Sequence, residues 1–181
     1  MGPVTRPLLI VASLAVSMGS FAAETDKAQL TQEEIYISKA ENFERPVTLP
    51  PDVVKVLIEF IATDPYFGAY VKRLRMHPDR LFFATDAHLG NPNEVDFIVG
   101  GIAPLCAADG GFFWVVRSTP KKPKVILSAA GNYIEVLDTR THGYRDIRTI
   151  WPGQWQTRDD VYHFNGNEYK LRKEKWVENR P

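Results

Sequence analysis

Two patterns of hydrophobic and polar positions follow one another along this chain. Between Pro51 and Leu74 the apolar residues recur every three to four positions, which predicts amphipathic helices with one buried stripe each. Pro50-Pro51 and Asp64-Pro65 would open the two helices, because proline fits a first helical turn. We therefore expect an N-terminal helical hairpin over about residues 52–75. Its stripes would be Val53, Val54, Leu57, Ile58 and Ile61, then Tyr66, Phe67, Tyr70, Val71 and Leu74.

From Leu81 onward, short β-rich runs are separated by turn residues, and the connections are too short for crossover helices. This pattern predicts an antiparallel meander of six to eight strands over about residues 81–176. Asn165-Gly166 predicts a type I′ hairpin with Tyr162 opposite Tyr169. The fold class is therefore α+β, with the helical hairpin packed on a predominantly antiparallel β-meander sheet. The expected strands are 81–85, 95–100, 112–117, 124–128, 133–138, 144–151, 161–164 and 168–172.

The first 22 residues have the pattern of a signal peptide. Arg6 precedes an apolar run, Leu8–Met18, and Ser20 and Ala22 are small residues suited to cleavage before residue 23. The run is too short for a comfortable transmembrane helix, although an uncleaved anchor is the alternative. We expect Sec-type export in a bacterium to the periplasm or beyond, with no membrane anchor after cleavage. The polar residues 23–49 predict a flexible arm, and residues 50–181 a single domain.

Composition narrows the function classes. The 22 Lys and Arg residues balance the 22 Asp and Glu residues, which disfavours a nucleic-acid surface. The single cysteine, Cys106, excludes a disulfide scaffold and a cysteine-rich zinc site. The four histidines lack metal-ligand spacing, and the chain contains no GxSxG or SxxK motif and no phosphate-binding glycine loop. We therefore expect no metal, no cofactor and no catalytic residue set.

Aromatic and basic residues gather near the end of the predicted sheet. Tyrosine, tryptophan and arginine are favoured at protein–protein hot spots, and Trp151–Trp155 reads as a loop. Trp176 belongs to the same group of aromatic residues. The alternative is that the tryptophans cap the sheet core. The predicted binding residues are Tyr144, Arg145, Trp151, Trp155 and Arg158.

These observations favour an exported, non-enzymatic binding protein whose partner is another protein. An inhibitor or immunity-type partner of a secreted toxin or cell-wall enzyme is the most concrete form of this hypothesis. Two alternatives remain: a structural envelope component, and a periplasmic hydrolase with dispersed catalytic residues. The candidates for such a hydrolase are His142, Asp146, His88 and Cys106.

Residues 91–169 resemble a widespread group of small, exported, uncharacterised bacterial proteins. The likeness is carried by NPNEVDFIV at 91–99, LCAADGGFFWVV at 105–116, and EVLDTRTHGYRDI with YHFNGNEY at 135–169. It implies export and a compact, sheet-rich C-terminal module, and it brings no enzyme activity. This chain has Gly111 where many of those proteins have a second cysteine, and the calcium-like aspartates of their opening loop are degraded. Their disulfide is therefore absent, and a metal role for that loop is not expected.

Overall fold

Strands dominate the structure. A computed structural model describes residues 35–37, 43, 45–73, 78–91, 94–107, 110–119 and 122–179. The helices are α1 (Pro51–Ile61), α2 (Gly68–Arg73) and a 3₁₀ turn at Pro78–Leu81. The strands are β1 (Ile35–Ile37), β2 (Phe82–Ala87), β3 (Asp96–Gly101), β4 (Cys106–Ala107), β5 (Gly110–Arg117), β6 (Lys124–Gly131), β7 (Tyr133–Thr141), β8 (Tyr144–Pro152), β9 (Gln156–Phe164) and β10 (Tyr169–Glu178).

The strands form two antiparallel sheets. The central sheet has the order β2-β3-β5, with β4 also pairing β5 and β6 on the other side of β5. The outer sheet has the order β1-β7-β8-β9-β10. Strands β7 to β10 follow one another both along the chain and across the sheet, so they make the meander that the turn spacing predicted.

The central sheet is buried on both faces. Phe113 and Val115 on one face pack with the outer sheet, where Ile147 is a core residue. Trp114 on the opposite face packs in a second cluster with Leu57 of α1. The layers are therefore α1, central sheet and outer sheet. Burial on both faces explains why β3 and β5 have nearly continuous apolar sequences rather than an alternating pattern.

The predicted α+β class with an N-terminal helical hairpin is wrong. The described residues are mostly antiparallel β, with 55% of them in strands and 13% in helices. Residues 62–67 form turns, in which Asp64 Oδ1 accepts the backbone N–H groups of Tyr66 and Phe67. The chain returns tightly onto the end of α1 at Gly68, where a Cβ atom would lie 2.6 Å from the Ala62 carbonyl oxygen. These turns replace the first turns of the expected second helix.

The predicted aromatic stripe of that helix is accordingly not a core face. Tyr66 and Tyr70 are 70% and 44% exposed. Phe67 is buried, and its ring contacts Phe112 edge-on at 4.7 Å. Leu74, the last residue of the stripe, lies outside the described residues. The first stripe is correct, because Val53, Leu57 and Ile61 are all buried in α1.

All eight predicted strands are present, as β2, β3 and β5 to β10. The short strands β1 and β4 were not predicted, and β1 lies within the segment expected to be a flexible arm. Later in that segment, Phe43 packs on Phe83, and the Val47 N–H donates to the Ala84 carbonyl. The predicted signal peptide lies outside the described residues. Within the described ranges, no helix is long and apolar enough to cross a membrane.

The predicted register of the last hairpin is wrong by two residues. Tyr169 lies opposite Phe164 rather than Tyr162. The Asn165 side-chain oxygen accepts the N–H groups of Asn167 and Glu168, and the Asn165 N–H donates to the Glu168 carbonyl. Asn165 therefore flanks the turn instead of occupying its centre. Gly166 has a φ of 97°, which suits glycine.

Candidate functional site

The predicted binding residues divide between the two ends of β8. Tyr144 and Arg145 begin this strand, whereas Trp151 lies near its end, before Trp155 and Arg158. A strand rises about 3.3 Å per residue, so Tyr144 and Trp151 are roughly 23 Å apart. The structure therefore brings three of the five residues to one end of the outer sheet and leaves the other two elsewhere.

A row of three side chains crosses the outer sheet at that end. Trp151 of β8 lies opposite Arg158 of β9, which lies opposite Trp176 of β10. Directly opposed residues share one face of a sheet. The Arg158 guanidinium carbon lies 5.7 Å from the centre of the Trp176 ring, a cation–π distance. Trp176 is not among the five predicted binding residues, and it lies beyond the predicted last strand, 168–172.

Two carboxylates hold Arg158 in place. Its Nε and Nη2 atoms contact the two oxygens of Asp160 at 3.1 and 2.8 Å, a bidentate geometry. Nη2 also lies 3.4 Å from Glu174 Oε2, and Glu174 Oε1 accepts the indole N–H of Trp176 at 2.6 Å. The hydrogen bond to Asp160 is the main reason why the pKa of Arg158 is raised. Arg158 is therefore charged and fixed in orientation.

Asp160 also connects the row to the core. It is buried on the same face of β9, two residues along from Arg158, and Tyr162 donates its hydroxyl to Asp160 Oδ2 at 3.3 Å. Burial, followed by the charge of Asp160, raises the pKa of Tyr162. The row is therefore supported by the buried, hydrogen-bonded groups of Asp160 and Tyr162, and its geometry does not depend on solvent-exposed loops alone.

This end of the outer sheet carries two tryptophans that face solvent. Trp155 is 75% exposed and Trp176 is 55% exposed. Trp151 is only half-buried, because its ring packs on Gly110, where a Cβ atom would approach it to 3.1 Å. We call Trp155, Arg158, Glu174 and Trp176 the Trp–Arg surface. Both alternatives from the sequence apply in part, since Trp151 caps the core while Trp155 and Trp176 do not.

Tyr144 and Arg145 make contacts within the fold at the other end of β8. The Tyr144 ring stacks on Phe164 at 4.1 Å, and the Arg117 guanidinium lies 5.8 Å from its centre. Arg145 donates from Nε to the Leu137 carbonyl at 2.9 Å. It also forms an ion pair with Asp138 at 3.1 Å. These contacts connect β8 to β7 and to the hairpin that follows β9.

A buried carboxyl lies beside Tyr144. Asp96 is 1% exposed, and its Oδ2 accepts the Leu89 N–H at 3.3 Å. Its Oδ1 has no hydrogen-bond partner in the part of the chain that the structure describes. Burial raises the pKa of Asp96 to about 6, against the opposing effects of the Leu89 N–H and of Arg117. We therefore expect the stability of the core to depend on the ionisation of Asp96, which is distant in sequence from the Trp–Arg surface.

The candidate hydrolase residues have the following places. His142 is exposed in the β7–β8 turn with a φ of 50°, and Cys106 is a partly exposed free thiol in β4. Asp146 is buried, with Oδ2 3.8 Å from His163 Nε2. Nδ1 of the exposed His88 lies 3.0 Å from a backbone carbonyl. Among the described residues, no three His, Cys, Asp or Glu side chains are grouped to hold a metal ion.

Comparisons with protein-family models, with curated proteins and with solved structures found no match to this chain. The resemblance of residues 91–169 to small exported bacterial proteins therefore stays a prediction. The geometry of the Trp–Arg surface defines the candidate site.

Proposed function

We propose that this protein is an exported, non-enzymatic binding protein that holds another protein through its Trp–Arg surface. The observation that carries the proposal is the exposure of Trp176 beside an arginine fixed by two carboxylates, with the exposed Trp155 in the β8–β9 turn at the same end of the sheet. Tryptophan and arginine are the residues most enriched at binding hot spots. Each large aromatic ring can bury roughly 150–250 Å² on contact with a partner.

The rigidity of the surface supports the proposal. Arg158 is held by Asp160 and Glu174, and Trp176 is held by its hydrogen bond to Glu174. The chain after β10 is also tied down, because the Asn179 N–H donates to the Trp155 carbonyl at 2.8 Å. Groups that are already ordered lose less conformational entropy when a partner binds. The contact surface is therefore largely preorganised.

The most concrete form of the function is that of an inhibitor or immunity-type partner of a secreted toxin or cell-wall enzyme. The predicted signal peptide supports it, because such targets act outside the cytoplasm. A small rigid sheet that presents an exposed hairpin end also suits this role, since the Trp155 side chain projects from the β8–β9 turn into solvent. Periplasmic or secreted localisation is part of the proposal.

We expect Trp176→Ala and Trp155→Ala each to weaken binding of the partner by about tenfold or more, because each removes an exposed hot-spot ring. The mature tagged chain from residue 23 would first capture the partner from periplasmic and secreted fractions, with identification by mass spectrometry. Titration of the purified partner then measures each variant. Tyr66→Ala is the matched control, because the exposure of Tyr66, 70%, lies between those of Trp176 and Trp155, and Tyr66 precedes α2 and so is not part of the outer sheet.

Two results would contradict the proposal. One is the absence of any stoichiometric partner at moderate salt. The other is an equal loss of binding in Tyr66→Ala and in the two tryptophan variants, which would place the contact elsewhere. Thermal unfolding of each variant separates a loss of contact from a loss of fold.

A further inference from the structure

Strand β10 forms one edge of the outer sheet. Among the strands that the structure describes, it pairs only with β9. It is ten residues long, and every residue after Tyr169 is exposed. A strand of this length at an edge is a template for pairing with a further strand.

The backbone of β10 offers free hydrogen-bonding groups. The Asn179 N–H donates to the Trp155 carbonyl, and in the same register Val177 faces Thr157. Hydrogen-bonded and non-bonded pairs alternate along an antiparallel ladder. Glu174 and Trp176 fall on the non-bonded positions, so their N–H and C=O groups point away from β9. These groups are available to an additional strand.

One face of β10 is strongly basic. Lys170, Lys173 and Lys175 lie opposite His163, Val161 and Asp159, three positions that share the outward face of β9. Arg148 chiefly, and then the two nearer lysines, lower the pKa of Asp159, which places their charges close to it. A strand added beside β10 would therefore present its own outward side chains to a column of lysines.

The other face of β10 is apolar in part. A register shift between Leu171 and Lys173 changes the alternation, so that Leu171, Glu174 and Trp176 all lie on the face that carries the Trp–Arg surface. Leu171 is 45% exposed, and Glu174 lies between it and Trp176 along this face. An added strand would place its inward side chains against these residues. The two faces therefore select different side chains from the same partner segment.

A second copy of β10 does not suit this edge. Two-fold antiparallel pairing centred on Lys173, Glu174 or Lys175 would put that residue opposite its own copy. Centring the pair on Trp176 would put Glu174 opposite Glu178 of the other copy. Like charges directly opposite each other destabilise a strand pair. These central registers of self-pairing are therefore disfavoured by charge, and a strand of different composition suits the edge better.

We propose that β10 accepts an extended acidic segment of the partner protein as an additional strand. This inference rests on the proposed function and names its binding mode. The acidic side chains of the segment alternate along one face, opposite Lys173 and Lys175. Its apolar side chains point to the other face, against Trp176. Main-chain hydrogen bonds supply affinity in this mode, and the alternate side chains supply specificity.

The test uses a defined peptide. A fluorescein-labelled peptide of ten residues, alternating Glu and Val with one central Tyr, is titrated with the mature protein, and anisotropy is recorded. The control peptide has the same composition in blocks rather than in alternation. We expect the alternating peptide to bind about tenfold more tightly. Equal binding of the two peptides would reduce the contact to general charge attraction and overturn the strand proposal.

A pair of variants tests the backbone contact directly. Glu174→Pro removes an N–H that points away from β9, a position where an edge strand tolerates proline. Glu174→Ala removes the same side chain and keeps the N–H. We expect the proline variant to lose about tenfold in peptide affinity relative to the alanine variant. If both variants bind equally, β10 does not accept a strand. If Glu174→Pro does not fold, hydrogen exchange of the Trp176 amide in the unaltered protein is the test. We expect the alternating peptide to slow this exchange, and no slowing would overturn the added strand.

The natural partner separates this inference from the proposed function. Loss of partner binding in Trp176→Ala, with equal binding of Glu174→Pro and Glu174→Ala, would overturn the added strand and leave the Trp–Arg surface in place. Loss in Trp176→Ala, with weaker binding of Glu174→Pro than of Glu174→Ala, supports both. Full binding in all three variants would overturn both proposals together.

Discussion

Replacing Phe113 with alanine is expected to lower the free energy of unfolding by about 3–5 kcal/mol, the range typical of a fully buried phenylalanine. Phe113 is 0% exposed and lies in β5, between β3 and β6. Its ring is part of the core between the central and outer sheets. Removing it leaves a cavity with walls on two sheets, which cannot close without moving strands. Urea unfolding followed by circular dichroism measures the change.

Tyr66→Ala is the matched control for this prediction. The predicted helical hairpin would have made Tyr66 a core residue, whereas the structure exposes most of its ring. We expect its substitution to change stability by no more than about 0.5 kcal/mol, as at most surface positions. A loss at Tyr66 comparable with that at Phe113 would show that the aromatic stripe is buried, contrary to the fold described above.

Replacing Asp96 with asparagine is expected to stabilise the protein at pH 7.5 and to change its response to pH. Burial raises the pKa of Asp96 to about 6 from its ordinary value of 3.8. The folded state therefore holds this proton more tightly than the unfolded state. The resulting stability is fully present below about pH 4 and is lost as the pH rises through 6. The difference of about two pKa units corresponds to a loss of up to about 3 kcal/mol.

Asparagine preserves the main contact of this side chain. Its carbonyl oxygen can accept the Leu89 N–H, as Asp96 Oδ2 does at 3.3 Å. It carries no charge that burial would penalise, although it also loses the attraction to Arg117, which offsets part of the gain. Glu94 and His88 also act on Asp96, and the charge of Asp96 contributes to the raised pKa of Tyr144 and of Tyr169; all four residues are kept in the variant. The comparison therefore isolates one carboxyl.

Urea unfolding of both proteins at pH 5 and at pH 7.5 provides the measurement. We expect the free energy of unfolding of the unaltered protein to fall between these values by more than that of Asp96→Asn. If the variant is instead less stable at both values, the ion attraction between Asp96 and Arg117 outweighs the cost of burying the charge. In that case the sign of the prediction is wrong.

Local patterns in the sequence determined much of the fold. All eight predicted strands and the stripe of α1 are present, because alternation and helical periodicity report directly on which positions are buried. The last hairpin was found but its register was not, since Asn165 and Glu168 close the turn and place its centre one residue later than the expected turn type would. Cysteine count and charge balance also narrowed the function classes without a structure.

The sheet arrangement depended on tertiary contacts. Gly131-Asn132 resembles the turn of a hairpin, yet β6 and β7 belong to different sheets, and the Asn132 N–H donates to the Ile150 carbonyl. Alternation shows that a segment is a strand but not which strand it pairs with. The predicted single meander therefore became two stacked sheets.

The candidate site, too, was predicted in part from the sequence and decided in part by tertiary contacts. Tryptophan and arginine could be selected from the sequence as binding residues, because their chemistry favours contacts in any fold. The burial of Trp151 and the exposure of Trp176 follow from where the central sheet ends above the outer sheet. The charged residues after 172 show no apolar strand pattern, so the sequence predicted a last strand that was too short. β10 continues because it pairs with β9, and an edge strand needs no apolar face of its own. The sequence by itself determined the strands and the candidate chemistry, whereas only long-range pairing decided which side chains meet and which edge stays open.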